Sequence, residues 1–283
     1  MYKPLSLYDD LIDRIITLAF DEDLFYGDQA TNAIIPQAQQ ATAVMTAKHD
    51  GVISGLEIAR RVISMLGDNE FKPCVADGDE VSRGDQIVAI TASYNHLLSS
   101  ERVMLNFMQR MSGIATATRR LVRLIEGTGA TLLDTRKTLP GHRLTDKMAV
   151  RHGGGSNHRM GLYDMAMLKD NHIKAAGSIT AAVAAARAKL SMGCKIEVET
   201  TTLDEVREAL ASGCDIIMLD NMSTDLMRQA VDIINHRAKT EASGNINENT
   251  IRAVAETGVD FISVGAITHS ISALDISMNF ITK

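Results

Sequence analysis

The sequence predicts an α/β protein whose larger part is a β/α barrel, complete or short of one strand. Two observations carry this. From Ala130 onward, short apolar runs of strand length alternate with amphipathic stretches of helical period, the pattern of βαβ units on a parallel sheet. Almost every one of those strands is apolar in its body and ends in a charged, small or glycine residue, and barrel active sites are assembled at the C-terminal ends of strands. An open doubly wound sheet is the competitor, but no GxGxxG opens a helix after a strand.

The predicted strands are ATLLDT (130–135), DMAMLKD (164–170), KIEVET (195–200), CDIIMLD (214–220), KTEASG (239–244) and VDFISVGA (259–266). Their ends carry Asp134 and Arg136, then Lys169 and Asp170, Glu197 and Glu199, Asp220, Ser243 and Gly244, and Gly265. One such strand end is an accident; a set in register with the repeat is a site. Between the later strands lie the helices SITAAVAAARAKL, LDEVREALASG, STDLMRQAVDIINHR and NENTIRAVAETG, with Ser178 and Ser223 as N-caps and Gly213 and Gly258 as stops. The chain before residue 110 differs. VADGDEVSRGDQIVAITAS has turn signals at Asp77-Gly78 and Arg83-Gly84-Asp85 between alternating strands, hence a small α+β unit. LLSSERVMLNFMQRMSGIATATRRLVRLIEG bridges to the barrel as helix, with Ser99 or Ser100 as N-cap and a break expected at Ser112-Gly113.

Composition narrows the function classes. The net charge of −6 argues against nucleic-acid binding, and the apolar runs fall short of the roughly 18 residues of a membrane span. MYKPLSLYDDLIDRIITLAF reads as an amphipathic helix and not as a signal peptide. Cys74, Cys194 and Cys214 are odd in number and scattered, which fits buried thiols in a reducing compartment, so a cytoplasmic location is expected. Within this acidic chain, residues 135–160 hold Arg136, Lys137, Arg143, Lys147, Arg151 and Arg159 against the single Asp146. A solvated basic face is the bland reading. The triple glycine in RHGGGSNHRMGLYD (151–164) and the pairs Arg136-Lys137 and His158-Arg159 favour an anion site in a loop between the first two barrel strands. The glycines are expected to let the backbone pass close to that site.

Arginine offers a planar fork that suits carboxylate or phosphate, and lysine a compact charge that suits phosphate. Lys169 adds a further cation, so a substrate with several anionic groups is the simplest reason for the set. Glu199 and Asp220 beside an anion make sense if they hold sugar hydroxyls or Mg²⁺, or face a developing cation. Glu197 shares a strand face with Glu199, but Glu199 is nearer the strand's end and is the expected functional member. Ser243-Gly244 and Gly265 fit a backbone phosphate cup after the late strands.

DTRKTLPGHR, AVRHGGGSNHRMGLYDMAMLKDNHI, IEVET, DIIMLDNMS, EASGNI and DFISVGAITHS, in this order and with SERVMLNFMQRMSGIAT and DGVISGLEIA before them, closely resemble quinolinate phosphoribosyltransferases. The resemblance runs along nearly the whole chain. It implies an N-terminal α/β sandwich domain over residues 1–108, on which the tail 268–283 packs, and an incomplete seven-stranded α/β barrel over 109–267. It also implies a reaction of quinolinate with phosphoribosyl pyrophosphate and Mg²⁺ that gives nicotinate mononucleotide, CO₂ and pyrophosphate, in a homodimer. By that resemblance Arg136, His158 and Arg159 hold the two quinolinate carboxylates, joined by Arg102 from the neighbouring subunit. Lys137 and Lys169 serve the pyrophosphate end and the substrate. Glu199 and Asp220 bind ribose hydroxyls and Mg²⁺ and stabilise the ribosyl cation. Ser243, Gly244 and Gly265 cradle the 5′-phosphate, with Asn245 and Ala266 beside them.

Three positions depart from the family pattern. His152 stands where a cysteine is usual, Asn245 where a further glycine is usual, and His142 follows Pro140-Gly141 as a loop histidine. Asn tolerates positive φ better than most residues, so the cup is expected to persist. Two other functions compete with this one. A molybdenum-associated paralogue of the same fold keeps the glycines but loses the Asn157-His158-Arg159 and Lys169-Asp170-Asn171-His172 patterns, both intact here. A non-catalytic phosphate-binding barrel has no use for Glu199, Asp220 and the arginine pairs together.

Overall fold

The computed structural model describes residues 7–36 and 39–281. Their order begins α1 (Leu7–Leu24), α2 (Gln29–Ile34), β1 (Gln40–Ala47), β2 (Gly51–Val52), α3 (Leu56–Leu66) and β3 (Asn69–Pro73). It continues through β4 (Glu80–Val81), β5 (Gln86–Ser93) and the long helix α4 (Tyr94–Leu124). Alternation follows with β6 (Thr131–Leu133), α5 (Arg143–His152), β7 (Ala166–Leu168), α6 (Asp170–Ala176), α7 (Ile179–Arg187) and β8 (Ile196–Thr200). The remaining elements are α8 (Leu203–Ala211), β9 (Ile216–Asp220), α9 (Thr224–Ile234), β10 (Lys239–Ser243) and α10 (Ile251–Ala255), then β11 (Phe261–Ser263), α11 (Ala266–His269) and β12 (Ile276–Phe280). The part of the expected N-terminal helix before Leu7 lies outside the described residues.

The chain divides into two compact units. One holds the residues up to Arg119 with Thr138–Gly154 and those from Ser270 onward; the other holds Arg120–Lys137 and Gly155–His269. The boundary read from sequence at 108/109 therefore falls inside α4, a continuous helix.

The first unit is built on an antiparallel sheet in the order β12-β1-β5-β3. Tail strand β12 pairs with β1 in the register Met45↔Met278, and Met45, Ile87 and Ile90 are fully buried. Helix α3 buries Leu56, Ile58, Ala59, Val62 and Ile63 along one stripe, as an amphipathic helix over a sheet must. Asp77-Gly78 forms the expected turn, with Gly78 at φ +97°. Asp77 does more than turn the chain: its Oδ1 accepts from the Gly55 and Leu56 amides at 2.7 and 3.1 Å and so caps α3.

Several expectations are corrected here. Helix α4 starts at Tyr94, ahead of the serines expected to cap it; Ser100 instead bonds back to the His96 carbonyl at 2.6 Å from within the helix. Ser112-Gly113 does not break α4. A Cβ on Gly113 would lie 2.3 Å from the Ser272 carbonyl oxygen, and Ser112 Oγ accepts from the Ser54 amide at 3.0 Å. Both residues are there for close packing, so their poor helix propensity is overridden. Of the cysteines, only Cys214 is buried; Cys74 is exposed and Cys194 intermediate. Gly153 caps α5 where a Cβ would meet the Ala115 carbonyl and the Thr118 side chain, each at 2.5 Å, so this glycine serves helix packing and not the anion site.

The second unit carries a parallel sheet in the order β6-β11-β10-β9-β8-β7. All six strands read from sequence are present, and the helices between them are capped by Ser178, Thr202 and Ser223 through bonds to Ala181, Glu205 and Leu226 amides. The seven strands implied by the resemblance are six. Beside the edge strand β6, a single parallel bridge joins Leu133 to Ser156 outside the six strands found among the described residues. The barrel is incomplete.

Gly113→Val should destabilise the protein by about 2–3 kcal/mol in chemical denaturation, because the added methyls have no room. Gly193→Ala, where a Cβ meets nothing within 4 Å, should stay within about 0.5 kcal/mol of the parent.

Candidate active site

A cavity of about 640 Å³ opens at the C-terminal ends of the six parallel strands. Its lining includes Arg136, Lys137, His158, Arg159, Lys169, Glu199, Asp220, Ser243, Gly244, Asn245, Gly265 and Ala266. The structure thus gathers in one place every residue that the sequence assigned to the site, except Arg102. Arg102 is exposed on α4 and lines a separate cavity of about 280 Å³ in the first unit.

The basic wall is fixed from beneath. Asp134, fully buried just past β6, accepts from the Asn157 side chain at 2.6 Å and the His158 amide at 2.9 Å. Ser156 and β6 exchange backbone bonds on either side of this point, Ser156 N to Leu132 O at 2.8 Å and Asp134 N to Ser156 O at 3.2 Å. Arg159 is only 8% exposed, and its guanidinium donates to the Met165 carbonyl at 2.9 Å. Burial first, and the neighbouring Arg136 guanidinium second, lower the pKa of Arg159 below the usual arginine value. Two guanidiniums held close enough to repel are a site waiting for an anion.

The His158 ring lines the cavity and is held against two carboxylates. Its Nε2 lies 3.0 Å from Glu197 on β8 and 3.3 Å from Glu241 on β10, and its Nδ1 accepts from the Arg159 amide at 2.8 Å. Burial alone would lower the ring's pKa, but the two carboxylates outweigh it and raise the value to about 9.

Glu199 lines the cavity and pairs with Lys169 Nζ at 3.0 Å, so it is the cavity-facing member of its strand pair, as expected. Glu197 is wholly buried against His158, and burial raises its pKa above the ordinary carboxylate range. Asp220 ends β9 and accepts from the Asn221 side chain at 2.8 Å. Glu199 and Asp220 lie at the ends of adjacent strands, and Lys169 and Asn221 each engage one of their carboxylate oxygens. Two hard carboxylate donors that supplement substrate phosphates suit a divalent cation such as Mg²⁺.

The expected phosphate cup consists of interlocked turns. Asn221 and Asn245 both sit at φ +53°, and the Asn245 side chain donates to Asn221 Oδ1 at 3.1 Å. Gly244, at φ +100°, lies so close that a Cβ would be 2.2 Å from that same oxygen. Asn245 therefore occupies the left-handed region expected of it. Gly265 gives passage to Lys137, whose Cδ would lie 3.0 Å from a Cβ there, and Thr268 Oγ donates to the Lys137 carbonyl at 2.8 Å.

Sequence reasoning missed Glu241, and it saw Asp134 only as a strand end. The signal for Glu241 was available: it is two residues before Ser243 on one strand, hence on the same face. Nothing local marked Asp134 as the anchor of residues 157 and 158. Of the three departures, His152 bonds Ser54 Oγ through Nδ1 at 2.8 Å in the first unit. His142 packs on Phe107 with ring centroids 5.8 Å apart. Burial lowers the pKa of both histidines.

Comparison with known proteins agrees with this geometry. Residues 28–112 match the family model described as quinolinate phosphoribosyl transferase, N-terminal domain, and residues 114–279 match its C-terminal domain. The chain belongs to the quinolinate phosphoribosyltransferase family. It is a phosphoribosyl-transferring enzyme. The enzyme is 42% identical over 291 residues to quinolinate phosphoribosyltransferase [decarboxylating] 1 of Nicotiana glauca, with 95% of this chain and 82% of the relative covered. It is 43% identical over 303 residues to the chloroplastic nicotinate-nucleotide pyrophosphorylase [carboxylating] of Arabidopsis thaliana, covering 99% of this chain and 86% of that one. The solved nicotinate-nucleotide pyrophosphorylase of Francisella tularensis superposes with a TM-score of 0.91 at 39% identity, covering 99% of this chain and all of that one.

Asp134→Ala removes the acceptor for both the Asn157 side chain and the His158 amide. It should cost about 2–4 kcal/mol of stability by chemical denaturation, and any folded fraction should have lost most of its activity.

Proposed function

We propose that the barrel cavity joins quinolinate to phosphoribosyl pyrophosphate with loss of CO₂, giving nicotinate mononucleotide and pyrophosphate for de novo NAD synthesis. The observation that carries this reading is that Arg136, Arg159 and the His158 ring line the same cavity as Glu199, Asp220 and the Ser243-Gly244 turn. A dicarboxylate and a phosphorylated sugar would each find their complement there.

Arg136 and Arg159 grip the quinolinate carboxylates, and His158 adds charge beside them. Ser243, Gly244, Asn245, Gly265 and Ala266 receive the 5′-phosphate on backbone N–H groups. Lys137 and Lys169 face the pyrophosphate end. As the C1–O bond to pyrophosphate breaks and the pyridine nitrogen bonds to C1, positive charge builds on the ribose, and Glu199 and Asp220 stabilise it. Mg²⁺ bound through these two carboxylates would offset charge on the departing pyrophosphate. The alkylated, positively charged ring nitrogen then accepts the electron pair left when the adjacent carboxylate departs as CO₂, and a proton replaces the lost group on that carbon.

The working form in this proposal is a homodimer in the cytoplasm. Arg102 does not line the cavity of its own barrel; it enters the site of the second subunit to meet a quinolinate carboxylate. Among the described residues no helix is long and apolar enough to cross a membrane, while the Arabidopsis relative is named as chloroplastic.

Incubation with quinolinate, phosphoribosyl pyrophosphate and Mg²⁺ should release CO₂ and nicotinate mononucleotide in equal amounts; absence of both refutes the reaction. Arg102→Ala and Arg136→Ala should each be inactive alone and regain part of the activity when mixed. Failure to complement in proven heterodimers refutes the shared site. Gly244→Ala should raise KM for phosphoribosyl pyrophosphate about tenfold or more with little change in KM for quinolinate, because the Asn221 turn must move aside.

A further inference from the structure

The chemistry above gives no role to Glu197 and Glu241, the two buried carboxylates beside His158. His158 Nε2 and one oxygen each of Glu197 and Glu241 lie within 4.8 Å of one another. Side-chain exposures are 7%, 0% and 1% for His158, Glu197 and Glu241. Glu197 Oε1 and both oxygens of Glu241 are buried with no hydrogen-bond partner among the described residues. Two carboxylates in one dry site cannot both stay ionised unless a cation compensates them. The imidazole is the group in direct contact with both.

We propose that Glu197 and Glu241 are positioning residues that hold His158 by its Nε2–H and keep the ring an imidazolium, so that it presents positive charge to a quinolinate carboxylate at neutral and mildly alkaline pH. This rests on the assignment of quinolinate to Arg136, His158 and Arg159.

Other groups around the ring act in both senses. Asp134, past the end of β6, takes the His158 amide and adds negative charge nearby. Arg159 is the neighbouring cation and helps keep Glu197 ionised. The Arg159 amide at Nδ1 opposes the second proton, since a ring protonated on both nitrogens has no acceptor to offer. That is one neutral bond against one charge-assisted bond, to Glu197, with the second carboxylate, Glu241, 3.3 Å from Nε2, and charge-assisted bonds are roughly twice as strong. The ring's raised value of about 9 follows from the balance. The sign is that of a raised pKa: the imidazolium is fully present below the unperturbed value and is lost as pH rises through the raised one. A charged histidine lets alkaline pH weaken the grip on a dicarboxylate.

The test uses the full enzyme labelled with ¹⁵N-histidine, without substrate. Comparison with His158→Gln identifies the ring signals among the eight histidines. Both ring nitrogens of His158 should stay protonated through pH 8, and the midpoint should fall in Glu241→Gln and in Glu197→Gln. In kinetics at pH 8, each variant should raise KM for quinolinate about tenfold while kcat and KM for phosphoribosyl pyrophosphate hold, and the difference should close toward pH 6. A parent enzyme whose ring is already neutral at pH 7 overturns the proposal, as does an equal rise in both KM values at every pH. Should a variant fail to fold, the titration of the parent enzyme still decides. An enzyme that does not turn over quinolinate refutes the assigned reaction, yet leaves the ring titration to be read independently.

Discussion

The site depends on one buried carboxylate. Asp134 follows the short strand β6 with no solvent contact, and it ties the Asn157 side chain and the His158 backbone to the barrel. Those bonds span more than twenty residues of chain and hold a segment that has left the sheet ladder. A buried acceptor whose donors come from one flexible loop fixes that loop's register, because leaving the carboxylate unpaired would cost several kcal/mol. Once residues 156–159 are fixed, Arg159 must turn its guanidinium toward the Met165 carbonyl and His158 must turn its Nε2 toward β8 and β10. The basic wall follows from an acid.

Charge is balanced across the site. Glu197 and Glu241 are buried against the His158 ring, and the guanidinium of Arg136 neighbours that of Arg159. Further round the mouth, Lys169 pairs with Glu199, and Asp220 is held by Asn221. A cavity lined only with cations would bind every anion alike. Alternating signs at fixed strand ends allow a dicarboxylate, a ribose that becomes cationic and a phosphate to occupy separate places, and this suits an enzyme that stabilises charge as it develops.

Much of this was legible in the sequence. The alternation of periods located all six parallel strands, and the residues at their ends supplied Arg136, Lys169, Glu199, Asp220, Ser243, Gly244 and Gly265 of the cavity lining. What was misread turned on contacts between distant parts of the chain. Ser112-Gly113 looks like a helix break by propensity, yet Ser272 and Ser54 fill the space around it and the helix runs through. The triple glycine looked like an approach to the anion site, but Gly153 is pressed against Ala115 and Thr118. Seven strands were expected, and six are found among the described residues, with one bridge at Ser156 outside them. Local pattern does not tell which surface a small residue is making room for.

The sequence by itself determined the fold class, the repeat, and the chemical types gathered at the barrel mouth, because side-chain period and strand-end identity are local properties. Only the tertiary structure decided that Asp134 anchors the loop, that Glu241 joins Glu197 beside His158, and that Asn221 and Asn245 lock the turn around Gly244. Each of those is a hydrogen bond or ion pair between residues far apart in the chain. No local period encodes such a pairing; it exists only once the strands are side by side.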